Sequence, residues 1–349
     1  MKIGVNYRLG LNPASGIPLT IKHLYQALAK LDSTNTYIRF IPKINTPSLL
    51  FDTIVCSFLL KFNPVSVFHG PSYILPLWKP KDTKFIVTIH DLAFIALPEV
   101  ATTHFKIIYR ILTTHSLSIA DRVIAVSDNT KRDIIKYFST PDRKITVIPN
   151  GISDVYLTSP LQPPLIQGDY VLTITTHPQR KNTPLLFAAF KLLKKNNMKL
   201  VVVDNIGNDD RVKLKNLTED LGISNKVVFT GRVSELQLAS LYQHARLFVY
   251  PSIYEGFGLP LLEAMACGCL VLGSKVSSLP EIIPDPKCLF FPVDAPTLAQ
   301  AMDKLLSLSA EQKDSIIKKL RKYSNKYSWF NSAKKYLSVF KKLKYDYKL

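Results

Sequence analysis

Val249-Tyr-Pro-Ser-Ile-Tyr-Glu-Gly-Phe-Gly-Leu-Pro-Leu-Leu-Glu-Ala-Met-Ala-Cys-Gly268 opens on an apolar strand, bends through a loop holding Gly256 and Gly258, and enters a short helix. Pro260 near the first helical position costs no hydrogen bond, because the first N–H groups of a helix have no partner within it. Gly268 ends the helix. Glycines allow close backbone approach to a ligand, and the free N–H groups at the helix start favour an anion. Glu255 lies in the loop and Glu263 one turn into the helix. Both can face one bound molecule at different depths, carboxylates being good acceptors for sugar hydroxyls. Taken as two glutamates alone, Glu263 is better read as complementing the helix dipole.

Outward from this stretch, short apolar β-branched runs alternate with longer amphipathic ones. Tyr170–Thr175, Lys199–Asp204, Val227–Thr230, Leu247–Tyr250 and Leu270–Gly273 are predicted strands, with a helix over Thr183–Lys195. Ser234 and Gln237 form a capping box for a helix to Ala245, and Asp294 caps another. Upstream, Lys2–Asn6, Val65–His69, Phe85–Ile89, Arg122–Val126 and Ile145–Ile148 read as strands, and Ile17–Leu31 and Thr103–Ala120 as helices. The pattern predicts two α/β domains with doubly wound parallel sheets. They span 1–157 and 169–323, joined by a proline-rich linker over 158–168 and facing each other across a cleft. Open sheets of this kind bind ligands beyond the carboxyl ends of their strands.

Two further groups follow strands. Arg180 and Lys181, in Thr175-Thr-His-Pro-Gln-Arg-Lys-Asn182, can clamp a diphosphate and stabilise charge growing on it. Alone they are better read as a solvated pair. His90, before Asp91, is likewise more often a satisfied structural histidine. Gly4, Gly10 and Gly16 do not spell a dinucleotide fingerprint, and no GxxxxGK[ST], HExxH or strand-end Asp-x-Asp occurs.

The 249–268 stretch closely resembles the E-x7-E segment of the family 4 retaining glycosyltransferases, with Glu255 and Glu263 framing Gly-Phe-Gly-Leu-Pro. The resemblance continues through Leu270-Val-Leu-Gly-Ser-Lys-Val-Ser-Ser-Leu-Pro-Glu-Ile-Ile283 and covers most of 85–340. It implies the GT-B fold, two Rossmann-like domains with the donor on the second and the acceptor on the first. It implies that Glu263 holds the ribose hydroxyls of a nucleotide-sugar. Glu255, with Gly256, Phe257, Gly258 and Leu259, meets the donor sugar. Arg180 and Lys181 match the family's R-K-N segment at the donor phosphates, and His90 its H-D element beside the sugar. Gly231 and Arg232 resemble the loop near the base, and Gly16 the glycine of the first loop, with Ser15 where a second glycine is usual. Asp121 and Ser127 match as structural positions. Thr175 and Thr176 depart from the usual Gly, often followed by Arg. The resemblance also implies that 324–349 forms a helix packing back on the first domain.

At 349 residues the chain is long for one core, and 47% hydrophobic against 20% charged residues excludes disorder. Four cysteines without paired spacing suggest buried thiols in a reducing compartment rather than a disulfide framework or zinc site. The start carries no secretory signal, and the apolar run Ser48–Phe62 is too short to span a membrane. Net charge is +19, and residues 312–349 hold 12 Lys/Arg against Asp314 and Asp346. This basic tail suits anionic membrane, and a solvated lysine face is the equal alternative. Nucleic acid is not an expected partner, because no recognition motif accompanies the charge.

The expectation is a cytoplasmic, metal-independent retaining hexosyltransferase without a cofactor, peripheral on the inner membrane face in one reading. It would use a nucleoside diphosphate sugar, with mannosyl slightly favoured, and a saccharide or lipid-linked acceptor in polysaccharide, O-antigen or glycolipid synthesis. A nucleotide-sugar-binding protein without transfer activity is the alternative.

Overall fold

Apolar runs such as Lys84–Ile89 and Lys199–Asp204 are buried along almost their whole length, as expected of strands covered by helices on both faces. The computed structural model describes all residues except 12–15, 44–45, 98, 100, 195–196 and 346–349. Ser15 and the predicted helix end at Lys195 therefore lie outside the described residues. Two compact units emerge, Met1–Gly151 with Tyr327–Leu349, and Ile152–Lys326. Each holds a six-stranded parallel sheet with flanking helices, the two-domain α/β architecture of the GT-B fold.

In the first unit the strands are β1 (Lys2–Asn6), β2 (Thr36–Phe40), β3 (Val67–Gly70), β4 (Lys84–Ile89), β5 (Arg122–Ala125) and β6 (Ile145–Val147), ordered β2-β1-β3-β4-β5-β6. Helices Ile17–Leu31 and Trp329–Tyr345 cover one face, where Ile3, Val5, Leu24, Leu28, Tyr336 and Phe340 interlock. The helical run 48–62, which contains a wide turn at Phe51–Val55, and helix Thr103–Ile119 cover the other face through Phe51, Leu60, Phe85 and Leu117. The C-terminal helix comes in at Gly151, where a Cβ would stand 2.2 Å from Trp329 N. Trp329 is buried, but its neighbour Phe330 is 49% exposed. A polar line crosses this core: Tyr25 Oη and Thr88 Oγ1 lie 2.7 and 2.8 Å from the two nitrogens of His69, and Thr88 is 3.0 Å from Tyr336 Oη. Complete burial pushes His69 down to about 3, so the ring is neutral.

The second unit contains β7 (Tyr170–Thr175), β8 (Lys199–Asp204), β9 (Val227–Gly231), β10 (Leu247–Tyr250), β11 (Val271–Ser274) and β12 (Leu289–Phe290), ordered β12-β11-β10-β7-β8-β9. The order reverses between β7 and β10. The expected capping box at Ser234 and the Asp294 cap are both formed.

Two edge strands carry no clear signal in the sequence. β2 is half-exposed with Arg39 among its residues, and β12 is two residues long, so neither presents a continuous apolar run. The chain passes between units at Gly151/Ile152 and Lys326/Tyr327, rather than at 157/158 and 323/324. Tyr156 is buried edge-on against Tyr242, which draws 152–157 into the second unit. The proline-rich segment is tied to the helix Glu235–His244: Gln162 N–H donates to Gln243 Oε1 (2.8 Å) and Ser240 Oγ donates to the Pro163 carbonyl (2.6 Å). Among the described residues, no helix is long and apolar enough to cross a membrane.

Candidate functional site

Because β7 to β12 run parallel, the loops after β7, β8, β9, β10 and β11 all emerge at one edge of the second sheet. The loops after β7 and β10 flank the point of reversal, where side chains from adjacent strand ends converge on one crevice. Arg180 and Lys181 end a single helical turn, Pro178–Lys181, closed by Asn182 in the left-handed conformation. Pro251–Gly258 is the loop after β10. The backbone joins the two, since Ile253 N–H donates to the Arg180 carbonyl at 3.0 Å, and Ser252 Oγ lies 3.0 Å from the same oxygen.

Lys181 and Glu255, 74 positions apart, form a buried ion pair, with Nζ 2.5 Å from Oε1. Ser252 Oγ donates to the same oxygen at 2.5 Å, and Lys181 also donates to Tyr250 Oη. Burial by itself raises the Glu255 carboxyl, but Lys181 and then Arg180 hold it down at about 2. It is ionised at neutral pH. Its backbone is pinned as well: Glu255 N–H donates to Ser277 Oγ (2.9 Å) and Ser278 Oγ donates to its carbonyl (2.9 Å).

Gly258 shows why the loop needs glycine. Its φ is +99°, and a Cβ there would lie 2.7 Å from Leu279 Cδ2 and 2.8 Å from Ile282 Cδ1. Phe257 is buried, and Leu259 opens the helix Leu259–Ala266. Glu263, half-buried on that helix, accepts from Tyr242 Oη at 3.3 Å. Burial, with nearby Glu235, pushes its carboxyl up to about 8 against that hydrogen bond. The two glutamates therefore differ in charge at neutral pH.

Residues 167–323 match the family of glycosyl transferases group 1, and residues 23–155 match glycosyltransferase family 4. O-antigen chain mannosyltransferase B of Escherichia coli is 32% identical over 289 residues, 79% of this chain and 74% of that protein. The chain belongs to glycosyltransferase family 4. The serotype-specific mannosyltransferase WbdA of Escherichia coli is 28% identical over 283 residues, 76% of this chain but 34% of WbdA. The chain thus spans about a third of the length of that relative. The structure of Anabaena HepE in complex with UDP-glucose shares the fold, with a TM-score of 0.76 at 19% identity over 98% of this chain and all of HepE.

Of the family positions, ten lie on the second unit: Arg180, Lys181, Gly231, Arg232, Glu255, Gly256, Phe257, Gly258, Leu259 and Glu263. Gly16 and His90 lie on the first unit. Gly16, at φ +58°, caps the helix Ile17–Leu31. His90 follows β4 with Nε2 2.8 Å from the Pro71 carbonyl, and burial lowers its pKa. Adjacent Asp91 accepts from Tyr73 Oη and from Ala93 N–H, each at 3.1 Å.

Several supporting residues lie outside these family positions. Asp204, buried at the end of β8, accepts from Gly231 N–H (2.8 Å) and pairs with Arg211 Nε (3.0 Å), which sets Gly231 at φ +68°. A carboxylate closing an otherwise apolar strand is a legible signal. Tyr250, Ser252, Ser277 and Ser278 are not legible in this way, because their roles depend on which strands become neighbours.

Proposed function

We propose that this chain is a retaining hexosyltransferase. It moves a hexosyl unit, mannosyl by preference, from a nucleoside diphosphate sugar to a hydroxyl of a saccharide or lipid-linked acceptor in polysaccharide, O-antigen or glycolipid synthesis. The observation that carries the reading is the Lys181–Glu255 pair with Arg180, assembled where the strand order reverses. Support for the sugar comes from the O-antigen mannosyltransferase relative, and for the donor class from the fold shared with a UDP-glucose-bound protein. The four thiols, none of them in a disulfide, support a reducing, cytoplasmic setting.

In this reading Glu263 accepts the ribose hydroxyls, and Glu255 with the backbone from Gly256 to Leu259 meets the donor sugar. Gly231 and Arg232 lie by the base, while Gly16 and His90 serve from the first unit. Arg180 and Lys181 meet charge growing on the diphosphate, so no metal and no resident cofactor take part. Glu255 is held by Lys181 and Ser252 in an orienting role rather than a nucleophilic one. Retention then proceeds by front-face attack, the departing phosphate taking the acceptor proton.

A thermal-shift panel of UDP-, GDP-, dTDP- and ADP-sugars tests the donor, since a bound ligand raises apparent stability with the log of its concentration. Product made with the matching donor in EDTA, with the anomeric configuration of the donor kept, is the expected result. Inversion, or strict dependence on added Mg or Mn, overturns the mechanism. The second reading, binding without transfer, is favoured by Thr175, whose buried hydroxyl accepts from Thr183 Oγ1 at 2.9 Å where the family usually has glycine. Donor binding with no turnover on any acceptor would support it.

A further inference from the structure

The two helical layers on the first sheet present opposite chemistries to solvent. On the layer of Ile17–Leu31 and Trp329–Tyr345, the outward positions include Lys30, Lys334, Lys335, Lys341 and Lys342. On the layer of 48–62 and Thr103–Ile119, large apolar side chains face outward. Phe58 and Phe62 stand one turn apart on the first element, and Ile107 and Ile111 one turn apart on the second. Phe62 is 75% exposed and Ile111 62%.

Trp78 sits in the segment laced between these elements. Its backbone N–H donates to Ser57 Oγ (3.2 Å) on one, and the Leu75 backbone N–H donates to Ser116 Oγ (2.8 Å) on the other. Trp78 is 58% exposed, and its ring stands edge-on to Phe58 with centroids 6.0 Å apart. Clustered exposed apolar residues mark an interaction surface.

Charge selects the partner. Lys61 and Arg110 are exposed on these two elements, and Lys106 is half-exposed. Their one acidic residue, Asp52, is buried 2.6 Å from Arg8. A face of Phe, Ile and Trp whose two helical elements expose cations and no carboxylate matches an anionic bilayer, in which aromatic rings settle at the headgroup level. A second copy of the same face would bring like charges together.

We propose that this face of the first unit docks on an anionic lipid surface, with Phe58, Phe62 and Trp78 entering the interface and Lys61, Lys106 and Arg110 meeting the headgroups. The proposal is independent of the transfer reading, because its test reads no activity.

The full chain is mixed with phosphatidylcholine vesicles with and without phosphatidylglycerol, and sedimentation is measured at low and high salt. Binding is expected only with the anionic lipid and weakens with salt. Of the two tryptophans, Trp78 is exposed and Trp329 buried, so a blue shift in emission on binding reports Trp78. Phe58→Ser with Phe62→Ser should lower partitioning at least about tenfold with unchanged circular dichroism, whereas changing Lys334, Lys335, Lys341 and Lys342 to Gln should not. Three results overturn the proposal: no binding at low salt, no blue shift, or equal binding by the serine variant. Concentration-dependent dimerisation without lipid, lost in that variant, would assign the face to a second copy instead.

Discussion

β1 and β7 are the first strands of their sheets, and each ends near a buried ion pair of different design. After β1, the Arg8 guanidinium takes both oxygens of Asp52, with Nε–Oδ1 at 2.8 Å and Nη2–Oδ2 at 2.6 Å, while Asn6 Nδ2 adds a third bond at 2.7 Å. After β7, the Lys181 ammonium and the Ser252 hydroxyl converge on one oxygen of Glu255, beside Arg180 and the glycine loop. A bidentate guanidinium saturates a carboxylate and locks two segments together, whereas an ammonium is a point charge that is readily shared. Position at a strand end therefore does not make a reactive site by itself. The loop around the charge decides.

The largest effect is expected at the second pair. Lys181→Ala strands a buried carboxylate, at a cost of about 3–5 kcal/mol, and removes the cation proposed to meet transition-state charge, so kcat should fall about 10²- to 10³-fold. Adding Glu255→Ala should restore part of the stability in urea unfolding but none of the turnover. Equal stability of the single and double variants would show that the carboxylate left without Lys181 carries no penalty. Acid titration sharpens this. Glu255 is held below its unfolded value of 4.5, so its stabilising contribution is present above that pH and is lost as pH falls toward about 2. Lys181→Ala should shrink that acid-dependent loss.

Asp52→Ala should cost about 2–3 kcal/mol of stability by leaving Arg8 without its carboxylate. Turnover of the folded variant should remain within a few-fold of wild type. A collapse of turnover comparable to that of Lys181→Ala would erase the distinction between the two pairs.

Glu263→Ala should weaken nucleotide diphosphate binding by roughly 1.5–3 kcal/mol, or about ten- to a hundredfold. Glu263 holds its proton up to about 8, against an unfolded value of 4.5, so its presence makes stability fall as pH rises between those values. Glu263→Gln should flatten that fall in thermal melts. Since two hydroxyls are best met by the carboxylate, wild-type nucleotide affinity should increase from pH 6 to 8, and calorimetry at both values checks it.

The smallest effect is expected on the lysine face. Lys334, Lys335, Lys341 and Lys342 changed to Gln should shift stability by no more than about 0.5 kcal/mol, because these side chains point to solvent. Truncation after Tyr323 should instead unfold the first unit, since Trp329, Tyr336, Phe340 and Leu343 lie within its core.

Two α/β units, the positions of most strands, and the loop from Tyr250 to Leu259 are legible in the sequence. Buried parallel strands are continuous apolar runs, and the glycine and prolines around Glu255 state their backbone requirements locally, as Gly258 at φ +99° illustrates. The half-exposed β2 and the two-residue β12 carry no such local signal. Only the tertiary structure set β10 beside β7, and with it the meeting of Lys181 with Glu255, the serines that pin the loop, and the opposed protonation of two glutamates eight positions apart. It also decided that Phe58, Phe62 and Ile111 face outward. Periodicity tells which side chains share a face. What covers that face, and what charge lies across it, depends on partners distant in the chain.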